Sequence, residues 1–100
     1  NDFEKYKLAI IEYSEVISIK PSYKDAYFNR GMIYLKLKEY EKALDDFTEA
    51  LLLNTNNKMA YYNRGLCKSL VGRSDFCIDF KNACKLGYRI SCDKFDDDCY

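Results

Sequence analysis

Apolar side chains recur along this chain at spacings of three and four, the period of a helix that buries one face. Over residues 3–19 the stripe runs through Phe3, Tyr6, Ala9, Ile10, Tyr13, Val16 and Ile17, and Ile11 adds apolar area beside it. Residues 24–37 carry Tyr27, Gly31 and Tyr34 on one side; residues 40–53 carry Tyr40, Ala43, Leu44, Phe47, Ala50 and Leu51. Further helices are predicted over 58–71 and 74–86, and a short one over 88–98, where Tyr88, Cys92, Phe95 and Cys99 share a face. The punctuation between them agrees. Pro21 precedes a capping-box pattern from Ser22 to Asp25, residues 54–57 form a polar turn, and Ser74 reads as an N-cap. With one proline and four glycines, the chain has little material for the turns of an all-β protein. An all-α fold of antiparallel helix pairs is expected.

The pattern is also periodic on a longer scale. Tyr27, Asn29, Arg30 and Gly31 recur 34 residues later as Tyr61, Asn63, Arg64 and Gly65. The same offset pairs Lys24 with Lys58, Ala26 with Ala60, Asp45 with Asp79 and Leu52 with Leu86. Upstream it pairs Tyr6 with Tyr40, Ala9 with Ala43, Tyr13 with Phe47 and Glu15 with Glu49. Small residues at Gly31, Ala43 and Ala50 let helices approach, and tyrosine and phenylalanine fill the space between them. At this offset Cys77 and Cys84 fall in the slots of Ala43 and Ala50, which predicts a packing role for both.

These residues resemble the tetratricopeptide repeat family, whose pattern is an aromatic, two residues, Leu-Gly, two residues, Tyr, then Ala-x-x-x-Phe and a closing Pro. The first full unit supplies Tyr27, Gly31, Tyr34, Ala43 and Phe47, with Arg30 in place of Leu and Thr55 in place of Pro. The upstream half unit supplies Ala9, Tyr13 and Pro21, while the last unit departs at Lys68, Cys77 and Lys81. The resemblance implies a right-handed α-solenoid whose units span 1–23 (a second helix only), 24–57, 58–87 and a capping segment 88–100. It also implies a concave groove that holds an extended peptide or a partner's helix.

With the core side set by Tyr27, Gly31 and Tyr34, the opposite side of that helix carries Asp25, Phe28, Asn29, Met32 and Lys36. The next unit places Met59, Tyr62, Asn63, Leu66 and Leu70 there. A solvated stripe is mostly charged and this one is mostly apolar, the mark of a binding face. Asn29 and Asn63 offer amides that both donate and accept. The carboxylate clamp of the family's chaperone-binding branch fits poorly, because Met59 stands where a lysine would help. Arg30 and Arg64 are expected at the core's edge in a structural role. A second reading is self-association through Phe3, Tyr6, Ile10, Tyr13 and Ile17, on a helix that lacks its usual partner.

Composition narrows the remaining classes. Lysine plus arginine and aspartate plus glutamate each total 16, a net charge of zero, whereas nucleic-acid binding calls for a basic face. Histidine is absent, which removes imidazole chemistry and histidine metal ligands. No run approaches the ~18 apolar residues of a membrane span. The acidic cluster Asp93, Asp96, Asp97 and Asp98 lacks the ligand order and turn glycine of a calcium loop and reads as a solvated face. None of the five cysteines forms a C-x-x-C pair, and Cys77/Cys84 and Cys92/Cys99 lie seven apart, too far to bridge within one helix. Buried, reduced thiols are favoured over a cross-helix disulfide or a metal site. The chain begins with Asn rather than Met, so it is either processed or a fragment, and a missing leader says little. The expectation is a non-catalytic protein–protein interaction scaffold, cytoplasmic, without cofactor or metal, and without nucleic-acid or membrane partners.

Overall fold

A computed structural model describes residues 1–99, and among them every regular element is a helix. The order is α1 (Asp2–Ile19), α2 (Lys24–Lys36), α3 (Tyr40–Leu53), α4 (Lys58–Leu70), α5 (Phe76–Lys85) and α6 (Arg89–Asp98). Tyr100, the last position of the expected capping segment, lies outside the described residues. Each helix packs on the next in sequence, and α2 also touches α4, so the chain stacks as a solenoid of helix pairs.

Helix ends follow local chemistry, not always as expected. Asn57 caps α4, its side chain accepting from Ala60 N–H at 3.0 Å. The Ser22 capping box does not form: Tyr23 occupies the N-cap position without a side-chain bond, leaving Ser22 one residue outside. Ser74 is likewise displaced by Asp75, whose carboxylate instead takes Lys68 and Arg73. Three turns reverse the chain through a left-handed residue, Lys38 at φ 61°, Gly72 at 83° and Gly87 at 96°. At each, the following amide reaches back to a carbonyl of the helix just ended, as in Arg73 N–H to Lys68 C=O at 2.8 Å.

The core is centred on α3 and α4, where Ala43, Leu44, Phe47, Leu51, Ala60 and Cys67 form one buried cluster. Gly31 lets α3 close on α2, because a Cβ there would sit 2.9 Å from the Phe47 ring. Gly65 does the same against Phe80 at 2.7 Å.

These contacts reveal a register that a uniform 34-residue offset misses. In α4 the offset holds, with Gly65 and Arg64 repeating Gly31 and Arg30. In α5 it slips by one: Phe80 takes the place of Phe47 against the glycine, and Asp79 takes that of Asp46 rather than Asp45. From the left-handed turn residue to the phenylalanine the chain takes nine steps in the first pair, Lys38 to Phe47, and eight in the second, Gly72 to Phe80. Cys77 and Cys84 therefore occupy the slots of Leu44 and Leu51, which face the following helix, and not those of Ala43 and Ala50.

That slip overturns the expectation of reduced thiols. Cys77 is bonded to Cys99 and Cys84 to Cys92, both bridges joining α5 to α6. The within-helix pairs excluded by distance do not form. Only Cys67 is free; it is buried, and desolvation pushes its thiol up to about 11.

Candidate binding groove

The first helices of successive pairs, α2 and α4, lie side by side, with α6 closing the row. Buried Ser91 (0% exposed) sits under α5, its Oγ donating to Phe80 C=O at 2.8 Å. It occupies the buried position that Ala26 and Ala60 hold in α2 and α4. From that register, Asp93 and Asp97 of α6 stand in the slots of Phe28/Tyr62 and Met32/Leu66. The row is apolar across α2 and α4 and acidic at α6.

The expected groove residues divide by depth. Asp25 and Lys36 of α2 are exposed, as are Met59 and Leu70 of α4. Phe28, Met32, Tyr62 and Leu66 are half-buried. Phe28 leans on Phe47 with ring centroids 6.0 Å apart, and Met32 packs against the central cluster. Tyr62 lies between Phe80 at 5.7 Å and Tyr88 at 5.2 Å. Phe28, Met32 and Tyr62 thus carry packing while staying partly open, and Leu66 is half-buried beside them.

The two asparagines differ. Asn29 borders a hollow of about 130 Å³ with Tyr13, Val16, Tyr23, Asp25 and Ala26, and among the described residues its amide has no hydrogen-bond partner. Asn63 is buried (7% exposed), and its Nδ2 donates to Met59 C=O at 2.8 Å. The expectation of two equivalent peptide-facing amides is corrected: burial has committed the Asn63 donor to its own helix.

Arg30 and Arg64 are committed to the junctions between helices. The Arg30 guanidinium donates from Nε and Nη2 to Asp46 at 2.8 and 2.7 Å, and from Nη1 to Ser14 Oγ at 3.0 Å. Arg64 repeats this with Asp79 at 2.9 and 2.7 Å and Thr48 Oγ1 at 3.4 Å. Each arginine ties its own pair together and reaches back to a hydroxyl of the preceding helix. Hydrogen bonding to the carboxylates holds both guanidiniums above their ordinary range. Burial pushes Asp46 up while Arg30 pulls it back. Lys68, in the slot of Tyr34, is itself buried and bridges Asp75 and Asp79 at 3.2 and 3.1 Å. Its hydrogen bond lowers the Asp75 carboxyl.

On α1 no residue is fully buried. Tyr6, Ile10, Tyr13 and Ile17, expected as a self-association face, are half-buried, while Phe3, Leu8, Ile11 and Ile19 are exposed. The open apolar face therefore runs through Leu8 and Ile11, one step around the helix from the expected stripe. A depression of about 540 Å³ lies between the start of α1 and the α2–α3 turn, lined by Phe3, Lys7, Ile10, Ile11, Tyr34 and Leu37 among others. Sequence reasoning missed it, because its walls come from three helices. No cluster among the described residues could hold a metal ion, and no helix is long and apolar enough to cross a membrane.

Stacked helix pairs with a glycine–phenylalanine closure define a helical-repeat scaffold. The sequence model of the tetratricopeptide repeat family matches residues 25–57. The second such domain of Spaghetti (RPAP3), solved bound to the HSP90 peptide SRMEEVD, is 32% identical; the alignment covers 82% of this chain and 77% of that one, with a TM-score of 0.79. The second domain of human RPAP3, in complex with the HSP70 peptide SGPTIEEVD, is 28% identical over 95% and 84% of the two chains, TM-score 0.83. The Arabidopsis OM64 domain is 25% identical over 96% and 84%, TM-score 0.82. Among curated proteins, none matches significantly. The chain belongs to the tetratricopeptide repeat family, a family of non-catalytic protein-interaction scaffolds.

Proposed function

We propose that this chain docks an extended peptide or a helix of a partner protein across α2 and α4. The observation that carries the reading is the apolar row Phe28, Met32, Tyr62 and Leu66, open on one side, flanked by the unpaired Asn29 amide and by exposed Met59 and Leu70. Apolar anchors supply desolvation, and an open amide fixes the backbone of a ligand. Two structural relatives solved with peptides bound support the same use of the fold. Their ligands end in acidic residues, whereas this row has Met59 where a cation would help and aspartates on α6. An apolar peptide is therefore the better fit.

Immobilised peptides screened for binding, followed by calorimetric titration of the tightest, test the proposal. Met59→Glu and Leu70→Glu should each weaken binding about tenfold, roughly 1.4 kcal/mol, with the melting temperature unchanged. Exposed positions are chosen because Tyr62 and Leu66 also carry packing. Unaltered affinity in both variants would defeat the reading.

The exposed Leu8 and Ile11 on a helix without buried residues favour a second reading, self-association through α1. Light scattering across a dilution series separates the two. A dimer that Ile11→Glu dissociates establishes the second, and a monomer at all concentrations excludes it.

A further inference from the structure

We propose that α6 is held on α5 chiefly by its two disulfides, so that thiol–disulfide exchange at Cys77–Cys99 and Cys84–Cys92 releases or docks this helix.

The comparison between successive units carries the argument. Helix α4 docks on α3 through Leu44 and Leu51, both buried. The equivalent positions of α5 are Cys77 and Cys84, and each is bonded to α6. Where one junction places two buried leucines, the next places two bonded cysteines. Among the residues of α6 only Ser91 is fully buried.

Helix α6 is also poorly disposed to stand alone. It has 10 residues, below the ~12–15 at which isolated helices become marginal. Its N-cap, Tyr88, supplies no side-chain hydrogen bond, and its last turn holds no basic residue. Asp96, Asp97 and Asp98 crowd that turn, where the helix dipole disfavours negative charge. Among the described residues, Asp98 alone of the three is offset, by Lys94 at 3.2 Å. Beside the bridges, α6 and its cap contribute the Ser91 hydrogen bond, the Tyr62–Tyr88 contact and the partly buried Phe95.

The four bonded cysteines are half-buried, so a small thiol can reach them. A dithiol reductant attacks one sulfur, the S–S bond breaks, and a mixed disulfide forms while the displaced thiolate takes a proton. The reductant's second thiol then attacks the mixed disulfide, freeing the second cysteine as a thiol and leaving the reductant oxidised. Two electrons and two protons pass to each pair. Closure is the reverse, with a disulfide as oxidant. In an oxidising compartment the cap stays docked, and in a reducing cytoplasm it is released. On the groove reading above, which this consequence alone depends on, release uncovers Tyr62 and removes the acidic end of the row.

Hydrogen exchange of the full chain, read by mass spectrometry without any peptide present, tests the cap directly. In the oxidised protein, α6 amides should exchange slowly. After dithiothreitol, with the mass gain of two hydrogens per bridge verified, they should exchange within about tenfold of an unstructured chain while α2–α4 keep their protection. Unchanged α6 protection after verified reduction would overturn the proposal, as would loss of protection throughout the chain. A variant carrying Cys77→Leu and Cys84→Leu with Cys92→Ala and Cys99→Ala restores the apolar slots of the preceding junction. It should hold α6 regardless of reductant, whereas serine at all four positions should not. Equal α6 protection in the two variants would refute the comparison on which the inference rests.

Discussion

Asp79 is a fully buried carboxylate held between two cations, and Asp79→Ala tests what that arrangement contributes. Its carboxylate is fully buried and accepts two hydrogen bonds from Arg64, at 2.9 and 2.7 Å, with Lys68 Nζ at 3.1 Å. Removing it strands two cations whose side chains are 19% and 9% exposed. Breaking a buried pair from one side costs roughly 3–5 kcal/mol, because the remaining charge is desolvated without compensation. Lys68 keeps Asp75 at 3.2 Å, and Arg64 keeps only the long Thr48 bond at 3.4 Å. The expected loss is therefore about 3–4 kcal/mol, a fall of at least about 12 °C in a domain of this size. Asp46→Ala is the internal comparison. It strands one cation rather than two, and Arg30, as exposed as Arg64 at 19%, keeps a shorter bond to its hydroxyl, Ser14 at 3.0 Å. Roughly 1.5–3 kcal/mol is expected there, the range for a hydrogen bond to a charged group. Urea unfolding followed by far-ultraviolet circular dichroism, with the disulfides intact, measures both. If Asp79→Ala loses under about 1 kcal/mol, or less than Asp46→Ala, the buried-carboxylate argument is wrong.

Four further outcomes follow from other parts of the structure. A thiol reagent at pH 8 should find no reactive thiol in the native protein, one (Cys67) after unfolding without reductant, and all five after reduction; more than one before reduction would contradict the pairing. Because Cys67 titrates near 11 when folded against a reference of 9.0, its protonated form favours the fold, and stability should decline as pH rises through that window. Gly65→Ala should destabilise by about 1–2 kcal/mol despite alanine's helix preference, since its Cβ would lie 2.7 Å from the Phe80 ring; a gain in melting temperature would show that the ring yields freely. Lys38→Gly should stabilise by about 0.5–1 kcal/mol, because Lys38 holds φ 61° where the equivalent turns use Gly72 and Gly87; a loss in urea unfolding would refute this.

How much could be read from the chain alone depended on what set each feature. Helix positions came within two residues at every end, because a 34-residue period and apolar stripes both report the same burial. The register of α5 did not, because identities at a fixed offset reward Asp45 with Asp79 while the structure pairs Asp46 with Asp79. A signal was present: Asp46-Phe47 recurs as Asp79-Phe80, 33 residues on. With that register the two cysteines fall on the Leu44 and Leu51 slots and face the next helix, which makes cross-helix bridges the natural reading. Asn63 was misplaced for a different reason. Its amide is spent on Met59 C=O, a local bond that helical-wheel geometry does not register.

The two ends of the array expose how its junctions are made. Each internal junction combines an apolar contact with a polar tie in which arginine reaches from its own aspartate to a hydroxyl of the preceding helix. Arg30 does this to Ser14 and Arg64 to Thr48. With Ser91 in the slot of Ala26 and Ala60, the arginine slot of α6 is Phe95, so the polar tie stops there. The leucine slots that face α6 have become cysteines at the same junction. The leucine pair and the arginine tie are thus both replaced at this junction, where two bridges stand beside the Ser91–Phe80 hydrogen bond. At the opposite end, α1 retains the arginine tie through Ser14 and leaves Leu8 and Ile11 open. Helix α6 is joined to its neighbour by two covalent bridges; α1 is tied to its own through Ser14 and leaves Leu8 and Ile11 exposed.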